Sequence, residues 1–228
     1  MIQRQEFIMQ ISNETIQLLK NFATINSNII FRPGDKIVTM STAKNIFAAA
    51  TVAENFPREV AIYDLNSLLA LMTLNEKCEV DFNEESLRIA RNGGDFEYFY
   101  SDPRLVTAPP ANKSIEVDNH FQFKLSAEDV QTMQKAIAIT ASPNIFITSK
   151  LNQVTLSISD KKNAKANSYK KVIGPGFDDF NVFFGVDIFK IIPDAYTVTV
   201  SKKKFLHLKH ETKNLEYWLA CDPDSTFA

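Results

Sequence analysis

The sequence has little of what marks several common protein classes. Only two cysteines occur in 228 residues, Cys78 and Cys221, far apart and without metal-ligand spacing. Neither a disulfide framework nor a zinc cluster is therefore expected, and a reducing interior is the natural compartment. Six glycines against eighteen phenylalanines argue against a low-complexity or disordered chain. No apolar run approaches the roughly 20 residues that cross a bilayer as a helix, and Met1 to Gln10, with Arg4 and Glu6, lacks the apolar core of a secretory signal. Positive charge is not in excess: the formal net charge is -2, so the global basic patch of many DNA binders is missing. Glycine-rich phosphate loops, nucleophile elbows and zinc-ligand clusters are absent too. His207 and His210 have the spacing of a helical metal pair, but Phe205 to Lys209 alternates with strand period, which sets the two rings on opposite faces. His120 stands alone, and Glu84–Glu85 and Asp178–Asp179 read as solvated turns. No enzyme, metal or cofactor is expected.

What is present supports a sizeable core: 45% of residues are hydrophobic and 23% charged. The length suits one large domain or two of ordinary size, and an internal repeat decides for two. Ser12 to Ile25 (SNETIQLLKNFATI) opens with an N-cap serine and continues as an amphipathic helix; Ser126 to Ile139 (SAEDVQTMQKAIAI) does the same 114 positions later. At that offset Ile16 matches Val130, Leu19 matches Met133 and Ala23 matches Ile137, one buried stripe in each copy. The opposite stripes are Gln17, Lys20, Asn21, Thr24 and Gln131, Gln134, Lys135, Ala138. Both read as polar, slightly basic and free of acids.

The match runs on. Asn28 to Arg32 and Asn144 to Thr148 read as equivalent strands, followed by Lys36 to Met40 and Val154 to Ser159. Glu59 to Tyr63 leads into a short apolar helix, Leu65 to Met72; Asn181 to Gly185 leads into its expected counterpart, Val186 to Ile192. Three alternating strands close each copy: Glu79 to Asn83, Ser86 to Ala90 and Asp95 to Tyr100, then Ala195 to Ser201, Phe205 to Lys209 and Asn214 to Ala220. Between the copies Pro103, Pro109 and Pro110 exclude a helix or central strand. The expected layout is domain 1–101, extended connector 102–119 and domain 120–228, in the α+β class.

The first hundred residues lean acidic and the remainder slightly basic. The sharpest bias is Lys161, Lys162, Lys165, Lys170 and Lys171, with no acid before Phe177. Two readings stand for it: a lysine-protected edge strand with its loop, or a phosphate-facing segment.

LLKNFATINS (Leu18 to Ser27) and VAIYDLN (Val60 to Asn66) resemble the corresponding stretches of the sliding clamps of T-even-type bacteriophages, the DNA polymerase processivity factors related to PCNA-like clamps. The stretch beginning DPRLVTAP at Asp102 and the tail around Asp222 to Thr226 resemble them too, collinearly over residues 9 to 228, with Met1 to Ile8 as an extension. The resemblance implies a DNA clamp fold, two similar domains with helices on one face of antiparallel sheet, and a homotrimeric ring around double-stranded DNA. It also implies a DNA polymerase as the tethered partner, a clamp loader, contacts with late transcription factors, no membrane association, and residence in the cytoplasm of an infected bacterium. Phosphate contact is sequence-independent, so an acidic chain can slide on DNA when topology holds it there. DNA-facing candidates are then Gln17, Lys20, Asn21, Lys124, Lys135 and Lys190. Leu105, Val106, Leu219, Cys221 and Pro223 are candidates for a partner-peptide groove, with sealing of the two domains as the competing role for Leu105, Val106 and Leu219. Phe96, Tyr98 and Phe99, facing Tyr169 and Val172 of a neighbour, are candidates for the subunit interface. The alternative is a monomeric two-domain peptide-binding module without ring closure.

Overall fold

The computed structural model describes residues 8–73, 78–91, 94–110, 113–118, 121–176 and 178–227, which leaves His120 and residues 1–7 outside the described residues. The chain forms two compact units, 1–113 and 114–228. The boundary falls inside the segment expected as a connector. Residues 101 to 109 are tied to the first unit: Ser101 N–H donates to the Ala61 carbonyl (2.9 Å), and the Asn26 and Arg32 side chains donate to the carbonyls of Thr107 (2.8 Å) and Pro109 (3.0 Å).

In the first unit the order is β1 (Ile8–Ile11), α1 (Asn13–Ile25), β2 (Ile29–Phe31), β3 (Gly34–Met40), β4 (Ile46–Phe56), β5 (Val60–Ile62), α2 (Leu65–Met72), β6 (Cys78–Phe82), β7 (Ser86–Arg91) and β8 (Gly94–Phe99). A four-stranded sheet runs β1-β6-β7-β8, β2 pairs with β5 and β3 with β4, all antiparallel. Helix α1 begins where the Ser12 hydroxyl accepts the Thr15 N–H at 3.2 Å. It buries Ile16, Leu19 and Phe22 and packs on α2, β3 and β4. Phe31 stacks on Phe56 at 4.7 Å, and Phe56 meets Phe82 edge-on at 6.1 Å. Full burial of one such ring contributes about 1.5–3 kcal/mol.

The second unit repeats the order: β9 (Phe121–Leu125), α3 (Ala127–Thr140), β10 (Asn144–Lys150), β11 (Gln153–Ser159), β12 (Tyr169–Pro175), β13 (Phe180–Gly185), a 3-10 turn (Val186–Ile188), β14 (Tyr196–Ser201), β15 (Phe205–His210) and β16 (Leu215–Ala220), followed by the short β17 (Thr226–Phe227). Its strands pair as β9-β14-β15-β16 and β12-β11-β10-β13-β17, again antiparallel. Helix α3 lies on β11 and starts in a capping box, Ser126 and Asp129 each accepting the other's N–H at 3.1 Å.

Two expectations change. Val186 to Ile192 is not a helix; only the 3-10 turn at 186–188 forms. Gly185 supplies no side-chain cap, and Pro193 steers Ile192 away from helical geometry. The carbonyls of Ile191 and Ile192 are taken instead by the Gln134 amide (3.1 Å) and the Tyr196 hydroxyl (2.8 Å). The second change is an addition: β4 spans eleven residues, IFAAATVAENF, at a place where no strand is expected.

Candidate nucleic-acid interface

On α1 the residues turned away from the core are Gln17, Lys20 and Thr24, all exposed, with Asn21 half-buried beside them. On α3 the equivalent positions, Gln131, Lys135 and Ala138, are exposed. Among the described residues neither Lys20 nor Lys135 enters an ion pair. Gln134 is half-buried, its amide spent on the Ile191 carbonyl.

These faces are not free of acids. Glu14 and Glu128, again 114 positions apart, are exposed in the first turns of α1 and α3. One helical turn before Gln17 and Gln131, each lies on the outer stripe. A carboxylate there complements the positive end of the helix dipole, and the bases follow in the next two turns. Each helix thus presents acid, amide and ammonium in the same order along its length.

The caps of the two helices differ in a way that sequence spacing hides. In the first unit the Ser12 N–H donates to Glu54 Oε1 at 2.6 Å, and the Thr15 hydroxyl donates to Glu54 Oε2 at 2.6 Å. Glu54 sits on β4 and is only 6% exposed. Burial alone would raise its carboxyl pKa, but these hydrogen bonds hold it below the usual glutamate value. In the second unit Asp129 does the same work from inside the helix, and it also pairs with Lys171 of β12. Burial opposes that charge as well, and the Lys171 ammonium and the Ser126 cap outweigh it, lowering the Asp129 pKa.

Helix α2 offers no base. Its outer residues, Asn66, Ser67, Ala70 and Thr73, are small or polar, and Asp64 caps it by accepting the Ser67 N–H at 3.1 Å. Lys190 is exposed just beyond the 3-10 turn, near the exposed Asp187. Lys124 is on strand β9, not on a helix, and pairs with Glu211 at 3.1 Å. In the lysine-rich segment, Lys161 pairs with Asp222 at 3.2 Å and lies over the Phe183 ring at 4.8 Å, and Lys171 is held by Asp129. Lys162, Lys165 and Lys170 are exposed.

The peptide-groove candidates separate by burial. Leu105 is 66% exposed, whereas Val106 is buried with Ile30 and Ala61. In the second unit Leu219 is fully buried, Cys221 is buried and Pro223 is exposed. Burial pushes the Cys221 thiol up to about 12, which suits a packing role and not a nucleophile. His207 stacks on Trp218 at 4.7 Å, and His210 is buried, 3.0 Å from Asp194. Among the described residues no group of three or more His, Cys, Asp or Glu side chains could hold a metal, and no helix is long and apolar enough to cross a membrane.

Strands β8 and β12 each end a sheet. On β8, Phe99 is 64% exposed, Phe96 is half-buried, and the Tyr98 hydroxyl is turned to the backbone of Asp64 at 3.1 Å. On β12, Val172 is exposed and Tyr169 half-buried. The two edges differ in charge: β8 carries Asp95 and Glu97, and β12 carries Lys170 and Lys171.

Comparison with known proteins gives a single direction. The family model described as DNA polymerase processivity factor matches residues 12–100. The chain is 30% identical over 227 residues to the sliding clamp of Enterobacteria phage T4, covering 96% of this chain and 99% of that one. It is 29% identical over 224 residues to the sliding clamp of Vibrio phage KVP40, covering 94% and 99%. Among solved structures, the proliferating cellular nuclear antigen of Entamoeba histolytica matches with a TM-score of 0.71 at 13% identity, over 95% of this chain and 98% of that one. A putative DNA polymerase III beta subunit from Eubacterium rectale matches with a TM-score of 0.72 at 10% identity, over 98% and 67%. At such identities the structural matches speak for the fold alone.

Proposed function

The chain belongs to the sliding-clamp family of phage DNA polymerase processivity factors and has the two-domain clamp fold, and from that premise we propose that it works as a non-catalytic homotrimeric ring around duplex DNA. Three copies of a two-domain chain give six similar domains. The observation that carries the reading is the pair of matched helix faces, Gln17 with Lys20 and Gln131 with Lys135, set on equivalent helices. Amide and ammonium donors suit phosphate oxygens and read no base edges, which is what sliding requires. Contact is thinner at α2, where only Asn66, Ser67 and Thr73 offer polar groups.

Ring closure would join β8 of one copy to β12 of the next. Both are open sheet edges of opposite charge, and each carries an exposed apolar side chain, Phe99 or Val172. Opposite charge steers such a union and disfavours pairing of like edges. The head-to-tail arrangement closes when the rotation per copy divides the circle.

In this reading the ring tethers the replicative polymerase in the cytoplasm of the infected bacterium, is opened and placed on DNA by a clamp loader, and serves late transcription as a mobile partner. Leu105 and Pro223 are the candidates for the partner groove that reach solvent.

Light scattering on purified protein tests the ring: a mass three times the 25.8 kDa chain is expected, and a strictly monomeric protein at high concentration overturns it in favour of a two-domain peptide-binding module. Polymerase stimulation should survive on nicked circular DNA and fade on short linear DNA with free ends.

A further inference from the structure

The edge of β13 is covered by a very short piece of the chain's own backbone. Strand β17 is two residues long, with Thr226 opposite Asn181 and Phe227 opposite Phe180. Just before it, the Asp222 N–H donates to the Phe183 carbonyl (2.7 Å), and the Ser225 hydroxyl accepts the Phe183 N–H (3.2 Å). Residues 222–227 therefore run along β13, and the Phe227 ring rests 6.4 Å from that of Phe180. An open groove of about 330 Å³ adjoins them, walled by Ser149, Lys150, Asp179 and Asn181. In it Asn181 Oδ1 is buried and, among the described residues, has no hydrogen-bond partner.

The neighbouring β10–β11 hairpin turns on Leu151 and Asn152, both left-handed with φ of 51° and 59°. Asparagine suits that conformation; leucine does not. Leu151 is also 96% exposed, so neither packing nor turn chemistry accounts for it, and an unfavourable residue kept at such a place points to use. Register puts this tip at the right level: Ser149 is opposite Phe180, so a strand continuing past Phe227 runs toward the end of β13 where the hairpin turns.

We propose that the β13 edge, its groove and Leu151 form a docking site for an extended segment of a partner protein. That segment would carry an aromatic residue at the Phe227 level, a side-chain donor for Asn181 Oδ1, and an aliphatic residue just beyond, with Thr226–Phe227 as the internal occupant it displaces. The occupant on the page supplies the template: main-chain pairing gives affinity and the aromatic contact gives selectivity. This rests on the reading of the chain as a tether for other proteins.

The probe is a fluorescently labelled synthetic peptide copying Asp222 to Phe227 and continuing into two leucines, titrated into the full chain by anisotropy. Phe227→Ala, which loosens the internal occupant, is expected to bind the peptide at least fivefold more tightly than the parent. Leu151→Asn, which suits the turn better, is expected to bind at least fivefold more weakly while its melting temperature stays level or rises. Equal affinity of the parent and Leu151→Asn, or no gain in Phe227→Ala, overturns the site. The readout is peptide binding and not mass or processivity, so its failure leaves the ring reading untouched.

Discussion

Glu54 on β4 and Thr15 on α1 are joined by a 2.6 Å hydrogen bond between a buried carboxylate and a hydroxyl. The bond crosses from sheet to helix and, with the Ser12 N–H, fixes the start of α1 and so the direction in which Gln17 and Lys20 are presented. The helix of the second unit takes its direction from Asp129 and Lys171 instead.

Removing the Glu54 carboxylate should therefore loosen the first unit. Glu54→Gln is expected to cost about 2 kcal/mol, the range for a hydrogen-bonded buried charge. Ser126→Ala, which removes one hydroxyl cap, should cost about 1 kcal/mol. Urea unfolding followed by far-ultraviolet circular dichroism measures both. Fluorescence of Trp218, the chain's one tryptophan, reports the second unit and should respond to Ser126→Ala.

The same carboxylate sets a pH dependence. Its folded pKa is depressed, so the contribution is fully present above the ordinary glutamate pKa of about 4.3 and is lost as pH falls through the folded value. Thermal melts of the parent and Glu54→Gln should differ most near neutrality and converge as pH drops from about 5 toward 3. A gap that stays constant with pH would assign the effect to shape and not charge.

Charge reversal on the helix faces should weaken DNA retention without changing assembly. Lys20→Glu with Lys135→Glu is expected to lower polymerase processivity on the order of tenfold at physiological salt, with a shallower salt dependence as phosphate contacts are lost. Mass by light scattering should stay that of the parent. Unaltered processivity would remove both lysines from the DNA face.

The edges β8 and β12 make a charge-swap prediction. Lys170→Glu should weaken self-association at least tenfold, as like charges meet across the pairing, and adding Glu97→Lys should restore part of it. Sedimentation velocity over a concentration series reads both. Restoration by Glu97→Lys separates a designed edge from a general loss of folding.

Sequence alone makes the two long helices plain, because each carries its cap serine and its stripe within fourteen residues. Strand β4 is hidden for a physical reason. Its alanine run, Ala48 to Ala50, has low strand propensity, and its buried pattern is continuous there and does not alternate. The Val186 to Ile192 stretch shows the converse: apolar content suggests a helix, while Pro193 and side-chain bonds to its carbonyls prevent one. Of the interface candidates, Gln17, Lys20 and Lys135 are legible from period. Glu14 and Glu128 lie on the same stripe one turn earlier, within reach of a longer helical wheel. Glu54 is not legible, since its partners are 39 and 42 positions away.

That distance bears on the order in which the two halves acquire shape. Helix α3 can complete its cap from residues 126 to 129 alone, as soon as that stretch is free to fold. Helix α1 closes only its Ser12–Thr15 bond locally and must await a strand whose carboxylate arrives 42 residues later. The entropy of closing that loop falls on the first unit and not the second, and contacts of longer range slow folding. Two copies of one topology thus carry different folding clocks, with the later-synthesised helix the quicker to set.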